Sequence, residues 1–240
     1  MRIAVFGANG PTGRLVTEQA LAAGHVVTAI TRHPEDFPIR DAHLTVLAGD
    51  VYDQASVDRA VDGQDAVLSS LGVPFGKEPI TVYSQGMTNI IQAMDRGGVR
   101  RLICVTSSAV DPAAGPHGGF FFEKVLQPFV VGVLGKTLYA DMTRMEAIVK
   151  ASDLDWIIVR PSGLFETPAV TDYHTAERYL KGKFTSRADL ANSMLAQVDS
   201  TEYLRKVMAV ATVSEQPSLL SFFMKEAVSK GDQQKVPAKA

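Results

Sequence analysis

The opening of the chain, Arg2-Ile3-Ala4-Val5-Phe6-Gly7-Ala8-Asn9-Gly10-Pro11-Thr12-Gly13-Arg14, constrains the fold more than any other stretch. A short apolar run breaks into glycines and then enters a helical pattern, which reads as a strand, a tight turn and a helix N-terminus. Glycines at 7, 10 and 13 let the backbone turn sharply, approach a pyrophosphate closely and pack the helix onto the strand, while the unpaired N–H groups of the first helical turn face the anion. The spacing is G-x-x-G-x-x-G rather than G-x-G-x-x-G. Its place after a strand and at the start of a helix is nevertheless the context a dinucleotide fingerprint demands. Dinucleotide binding is therefore favoured over an ordinary strand-to-helix turn, with Gly7, Asn9, Gly10, Pro11, Thr12 and Gly13 as cofactor-binding residues.

Periodicity along the rest of the chain alternates between the two regular structures. A helical stripe of Leu15, Val16, Gln19, Ala20 and Leu21 ends at Gly24. Strands follow at Val26 to Thr31 and at Leu44 to Ala48, then a helix with Val57, Ala60 and Val61 inward, then a strand from Ala66 to Leu71. A helix over 80–96 stops at Gly97-Gly98 before a fifth strand, Leu102 to Thr106. This β-α-β-α beat implies a parallel sheet with right-handed crossovers. The expectation is an α/β, doubly wound, Rossmann-like sheet of order 3-2-1-4-5-6 plus one further strand, with helices on both faces. After Ser108 the beat breaks at a loop over 111–119 and resumes with helical material from about Phe120 to Ser152, then a sixth strand from Trp156 to Arg160. Later come a helix start at Ser186-Arg187-Ala188-Asp189, a strand at Lys206 to Ala211 and a terminal helix near Ser218 to Ser229. One nucleotide-binding domain over 1–230, with a lid-like insertion at about 109–136 and a disordered tail over 231–240, is the predicted organisation.

The 240 residues are long enough for a full core, and a net charge of −2 with acids and bases interspersed points to no nucleic acid and no anionic membrane surface. A small molecule is the expected partner, and an oligomer is open. Cys104 is the lone cysteine, so neither an internal disulfide nor a cysteine-rich metal site can form, and a reducing cytoplasm is expected. Because the first apolar run reads as strand one, it is not expected to be a removable leader. The most apolar stretch, Phe120 to Leu134, is interrupted by Glu123, Lys124, Gln127 and Pro128, short of the ~20 residues that span a bilayer. It is read as buried core, as a subunit or membrane-surface contact, or as a lid. A mobile apolar cover is the expectation adopted, because three consecutive phenylalanines would stack on a planar substrate and exclude water.

At the end of the second strand, dinucleotide folds place an acid against a ribose hydroxyl or a base against a 2′-phosphate. Arg32 stands there, which favours NADP(H), since guanidinium pairs with phosphate in a fork. Arg14 reads either as an exposed first-turn arginine or as a second phosphate contact. Asp50 and Val51 after strand three, and Leu71 and Gly72 after strand four, fall on the carboxyl-end crevice, where Asp50 can bond an adenine amine. His25, His33, His43 and His174 are scattered without ligand spacing, so no metal site is predicted. Asp141 and Glu146 read as a solvated helix face, with Arg144 at i,i+3 from Asp141. Ser186 and Asp189 read as a helix N-cap and a first-turn acid.

These motifs, taken with Gly63-Gln64-Asp65-Ala66-Val67, Thr106-Ser107-Ser108, Ser152-Asp153-Leu154-Asp155-Trp156-Ile157-Ile158-Val159-Arg160-Pro161-Ser162-Gly163 and Ser186-Arg187-Ala188-Asp189-Leu190-Ala191, resemble the atypical short-chain dehydrogenase/reductases. Within them the chain is most similar to the NAD(P)H-binding, NmrA-like group that includes the biliverdin-IXβ/flavin reductases, over about residues 1–212. The resemblance implies NADP across the carboxyl ends of the strands, with nicotinamide near Thr106, Ser107 and a turn at Pro161-Ser162-Gly163. Two departures matter. The Tyr-x-x-x-Lys pair of ketone-reducing members is absent at its register: Tyr139 stands one residue out, and Thr143 occupies the position its lysine would take. Gly163 also replaces a histidine of the flavin reductases. Ser107 remains a candidate to orient substrate or to cap a strand-end turn, and Tyr139 is the second catalytic candidate. Together these imply hydride transfer from NADPH to a quinone, flavin or related flat carbonyl acceptor, which needs little acid catalysis. The alternatives are a non-catalytic NADP-binding sensor acting through a protein partner and, more distantly, an epimerase or isomerase holding NAD.

Overall fold

Ile3, Ala4, Val5 and Phe6 are all buried, and a strand with no polar side is stable only with a neighbour on each edge and a layer over each face. The computed structural model, which describes residues 1–76, 78–111, 114–115, 135–214 and 217, places this strand, β1 (Arg2–Phe6), at the centre of the sheet. It pairs in parallel with β2 (Val26–Thr31) on one edge and β4 (Ala66–Ser69) on the other, Ile3 lying opposite both Val27 and Ala66. With β3 (Leu44–Ala48), β5 (Arg101–Val105), β6 (Asp155–Pro161), β8 (Tyr173–Glu177) and β10 (Lys206–Thr212), the order is β3-β2-β1-β4-β5-β6-β10-β8. The predicted 3-2-1-4-5-6 arrangement is observed, with β10 parallel to β6 as the further strand.

Side chains alternate along each strand, so β1 feeds two cores. Ile3 and Val5 face helices α1 (Pro11–Ala22) and α5 (Arg187–Leu195), meeting Val16, Ala20, Leu190 and Met194. Ala4 and Phe6 face α2 (Gln54–Val61), α3 (Val82–Gly97) and α4 (Lys136–Ala151), meeting Val57, Met87, Ile90, Met145 and Val149. Each fully buried Ile, Leu, Phe or Met stabilises the fold by about 1.5–3 kcal/mol. In α1 the inward stripe is Thr12, Gly13, Val16, Thr17 and Ala20. Gln19 is only half-buried and donates to the Ala188 carbonyl of α5 at 3.1 Å.

Three features differ from expectation. The sheet carries an eighth strand, β8, antiparallel to β10, and β7 (Gly163–Phe165) pairs with β9 (Phe184–Ser186) in a separate two-stranded sheet. The edge strand reads Tyr-His-Thr-Ala-Glu and has no fully buried residue, so no apolar run announced it. Secondly, Pro161-Ser162-Gly163 is no turn. Pro161 ends β6, Gly163 begins β7, and Ser162 is held to the β9 side by its N–H to Thr185 Oγ1 (3.0 Å) and its hydroxyl to the Gly182 carbonyl (2.9 Å). Thirdly, Asp141 and Glu146 are buried, 0% and 3% exposed, rather than solvated. The Phe120–Leu134 cover, the terminal helix near 218–229 and the tail over 231–240 lie outside the described residues. Among the described residues, no helix is long and apolar enough to cross a membrane.

Asp141 explains how α3 begins. Thr81, its N-cap residue, makes no side-chain capping bond. Instead Asp141 Oδ2 accepts from the Tyr83 and Ser84 amides at 2.9 and 3.2 Å, Oδ1 accepts from the Ser84 hydroxyl, and Arg144 Nη2 closes the set at 3.0 Å. A carboxylate from α4 thus caps α3 and couples the two helices. Asp141→Ala is expected to lower stability by about 3 kcal/mol in urea unfolding, since a buried charge-assisted network is broken, with faster amide exchange concentrated at 83–85. Cys104 is fully buried, and burial pushes its thiol up, so it should resist a disulfide-exchange reagent in the native protein and react once the chain is unfolded.

Candidate cofactor site

The chain leaves β1 through Gly7, whose φ of +74° is a conformation that side chains rarely adopt. A Cβ there would stand 2.7 Å from the Ser70 carbonyl oxygen, just past β4. The Gly10 amide donates to the Gly7 carbonyl at 3.1 Å, and a Cβ on Gly13 would lie 2.1 Å from that same oxygen. Only glycine at both positions lets the first turn of α1 press against the strand exit. At Gly10 the sole contact of an added Cβ is this oxygen, at 3.3 Å, so the mouth of the turn stays open. Gly10 caps α1 without a side chain, Pro11 has no N–H to offer, and no acid occupies the first turn. The amides of Thr12 and Gly13 and the positive end of the helix therefore present an uncapped anion seat that fits a pyrophosphate. Arg14, left open between solvent and phosphate, is half-buried and forks onto Asn9 Oδ1 through Nε (3.0 Å) and Nη2 (2.7 Å), bracing the turn from behind.

The other predicted cofactor positions follow the parallel strands along the same carboxyl edge. Arg32 comes directly after β2, is exposed, and among the described residues has neither hydrogen bond nor ion pair. The chain beyond it is held by the His33 amide to Thr31 Oγ1 at 3.2 Å. After β3, Asp50 Oδ1 accepts from the Tyr52 amide at 2.9 Å, and the buried Val51 gives its carbonyl to Asn89 Nδ2 at 2.7 Å. After β4 stand half-buried Leu71 and exposed Gly72. Gly86 of α3 lies under Val51 and Leu71, where a Cβ would come within 3.0 Å of Val51 and 3.4 Å of Leu71. A glycine inside a helical pattern was the signal for this position, and the periodicity of the apolar residues hid it.

At the ends of β5 and β6 the residues serve two different purposes. Ser107 Oγ accepts from the Ala109 amide at 3.2 Å and caps a short 3-10 turn, Ser108–Val110, so the capping reading holds while its O–H proton stays available to a ligand oxygen. Thr106 is buried and donates to Glu146 Oε1 at 2.9 Å, which turns its hydroxyl away from the crevice. Glu146 also accepts from Arg160 Nε and Nη2 at 2.8 and 2.6 Å and from Lys150 Nζ at 2.7 Å, while Arg160 Nη1 reaches Asp111 at 3.2 Å. Asp111 in turn holds Arg178 Nε at 3.1 Å, in a residue whose φ of +65° is unfavourable for a side chain. This network ties β5, β6, α4 and Asp111 into one block. Burial disfavours the Glu146 anion, but the bonds from Arg160 and Lys150 outweigh it and hold the carboxyl below the usual range.

Tyr139 lies in the first turn of α4, its ring 6.3 Å from that of Phe75, and α4 packs against the 3-10 turn capped by Ser107. The Thr143 hydroxyl donates to the Tyr139 carbonyl at 2.8 Å, so the i+4 position supplies no cation. The spacing Tyr-x-x-x-Lys occurs in the sequence at Tyr179 and Lys183, but between β8 and β9 rather than on a helix. No helical face aligns those two side chains.

Among known proteins, the family model described as NAD(P)H-binding matches residues 7–201. A chloroplast protein of Arabidopsis thaliana is 30% identical over 177 residues, covering 70% of this chain. The protein named sugar epimerase YhfK, from Bacillus subtilis (strain 168), is 28% identical over 205 residues, covering 83% of this chain and 88% of its own. The chain spans 60% of the Arabidopsis relative's length and 12% of that of the Mycobacterium bovis relative it also matches. A short-chain dehydrogenase/reductase from Veillonella parvula DSM 2008, solved in complex with NADP, superposes with a TM-score of 0.73 at 20% identity, covering 91% of this chain and 99% of the other.

Glu146→Gln should cost about 3 kcal/mol at pH 7, because Arg160 would remain buried with its charge half-compensated. The wild-type carboxyl titrates lower in the folded than in the unfolded chain, so its contribution is present above the unfolded value of about 4.3 and is lost as pH falls through the folded one. The gap in urea midpoints between wild type and Glu146→Gln should therefore be full at pH 7 and close as pH drops below 4.3.

Proposed function

The chain belongs to the NAD(P)H-binding family, and on that premise we propose that it is an NADPH-dependent oxidoreductase passing hydride to a flat conjugated acceptor such as a quinone or a flavin. One observation carries the choice of cofactor: Arg32 stands exposed at the end of β2 with its guanidinium engaged by no described residue. A 2′-phosphate gives such a group a partner, whereas a ribose hydroxyl does not. Bound NADP in the Veillonella relative supports the same reading. When bound, the cofactor would supply the hydride, and this chain's residues would hold it: the glycine turn at the pyrophosphate, Asp50, Val51, Leu71 and Gly72 along the adenosine half, and Ser107, Pro161 and Gly163 toward the nicotinamide.

The nature of the acceptor follows from what α4 offers. With threonine at the i+4 position from Tyr139, that position offers no cation to activate a phenol hydroxyl as an acid, so proton delivery to an unactivated ketone is poorly served. An electron-poor quinone or flavin accepts hydride without that help and is protonated by solvent. Ser107 can donate to an acceptor oxygen and fix its orientation.

Titration should show NADPH binding about tenfold or more tighter than NADH, with Arg32→Ala removing that preference and leaving NADH binding unchanged. In a panel of quinones, flavins and aldehydes, NADPH oxidation should proceed with the first two classes. Tight NADPH binding with no turnover across the panel would leave the sensor reading, while turnover of a nucleotide sugar with retained NAD would favour the epimerase activity that YhfK's name carries.

A further inference from the structure

Helix α5 brings a cation to the pyrophosphate seat from the opposite end of the chain. Arg187 is the first residue of α5, and its Nη1 donates to Thr12 Oγ1 at 3.2 Å, in the first turn of α1. Thr12 is buried, so the guanidinium stands at the rim of the uncapped helix end rather than out on the surface. Two independent constraints fix it there. Ser186 caps α5 by accepting from the Asp189 amide at 3.0 Å, and Gln19 Nε2 binds the Ala188 carbonyl at 3.1 Å, so the two helix ends are registered against one another. On its other side, Arg187 Nε lies 3.7 Å from Glu166 Oε1, whose side chain is 76% exposed.

The geometry points to Arg187 as the cation that binds the cofactor pyrophosphate, with Glu166 as the competing carboxylate that the pyrophosphate displaces. This rests on the nucleotide-binding reading above and adds a residue to it. Pyrophosphate carries two charges beside the N-terminus of α1, and guanidinium presents paired donors to phosphate oxygens at a rigid spacing. The pair with Glu166, 3.7 Å long and with its carboxylate 76% exposed, is weak enough to yield to that ligand. Because Glu166 immediately follows β7, the exchange would also release the chain just past Gly163, on the nicotinamide side.

The test is calorimetric titration of the full chain, wild type and variants, with NADPH, NADH, ADP-ribose and adenosine 2′-monophosphate. Arg187→Ala should weaken NADPH, NADH and ADP-ribose alike by about tenfold and leave adenosine 2′-monophosphate unchanged. Arg32→Ala should do the reverse, affecting only ligands with a 2′-phosphate. Glu166→Gln removes the competitor while keeping the guanidinium, and should tighten the three pyrophosphate ligands by about threefold at low salt, with the gain fading as salt screens the pair. Unchanged binding of pyrophosphate ligands in Arg187→Ala, an equal loss for adenosine 2′-monophosphate, or no gain in Glu166→Gln overturns the assignment. Should Arg187→Ala fail to fold, Glu166→Gln decides alone, since its side chain is exposed. A wild-type chain that binds none of the four ligands would overturn the nucleotide reading itself, and Arg187's role with it; binding by wild type with indifferent variants overturns only the latter.

Discussion

Everything at the carboxyl edge of the sheet depends on one close approach, that of α1 to the exit of β1. Gly13 sits against the Gly7 carbonyl at a distance no side chain tolerates, and Gly7 itself passes under the Ser70 carbonyl. Any larger residue at either place would push the helix outward. The consequence reaches beyond local packing: the amides of Thr12 and Gly13, at the start of α1, would shift relative to the strand ends that Arg32, Asp50 and Leu71 follow. The same register sets where α5 lies, because α5 packs on α1 and carries Arg187 to Thr12.

The opposite half of the crevice is stiffened by buried charge rather than by close backbone contact. Glu146 accepts from Thr106, Arg160 and Lys150, and Arg160 continues to Asp111. Asp141, five residues earlier on the same helix, caps α3. Buried ions add little net stability because removing them from water is costly, yet breaking one partner leaves the other stranded. Such groups hold their geometry for that reason. Here they fix α4 against β5, β6 and α3, so that Ser107 and Tyr139 occupy a rigid frame and Asp111 is held by Arg160.

Much of this was legible in the chain itself. Apolar runs with no polar side specified buried parallel strands, the glycines at 7, 10 and 13 specified the tight strand-to-helix turn, and Arg32 could be placed at the end of β2 because the strand before it is short and unambiguous. Ser186 and Asp189 declared a helix start that the structure reproduces. All these signals are local: they depend on periodicity, on backbone freedom or on a cap within one turn.

What tertiary structure alone decided is the partnership of polar side chains distant in sequence. A periodicity argument assigns Asp141 and Glu146 to solvent because charges are rarely buried without a partner, and nothing near them in sequence shows that Ser84 and Arg160 will supply one. The edge strand Tyr173–Glu177 escaped for a related reason, since a half-exposed edge needs no apolar run and takes its conformation from β10. Likewise Arg187 carries no local mark that separates it from an ordinary first-turn arginine. Its nearness to Thr12, 175 residues away in the chain, exists only because two helices pack on the same face of the sheet. Sequence determines which elements form, through interactions within a few residues; the fold determines which charges meet, through the desolvation that makes each buried ion require a partner.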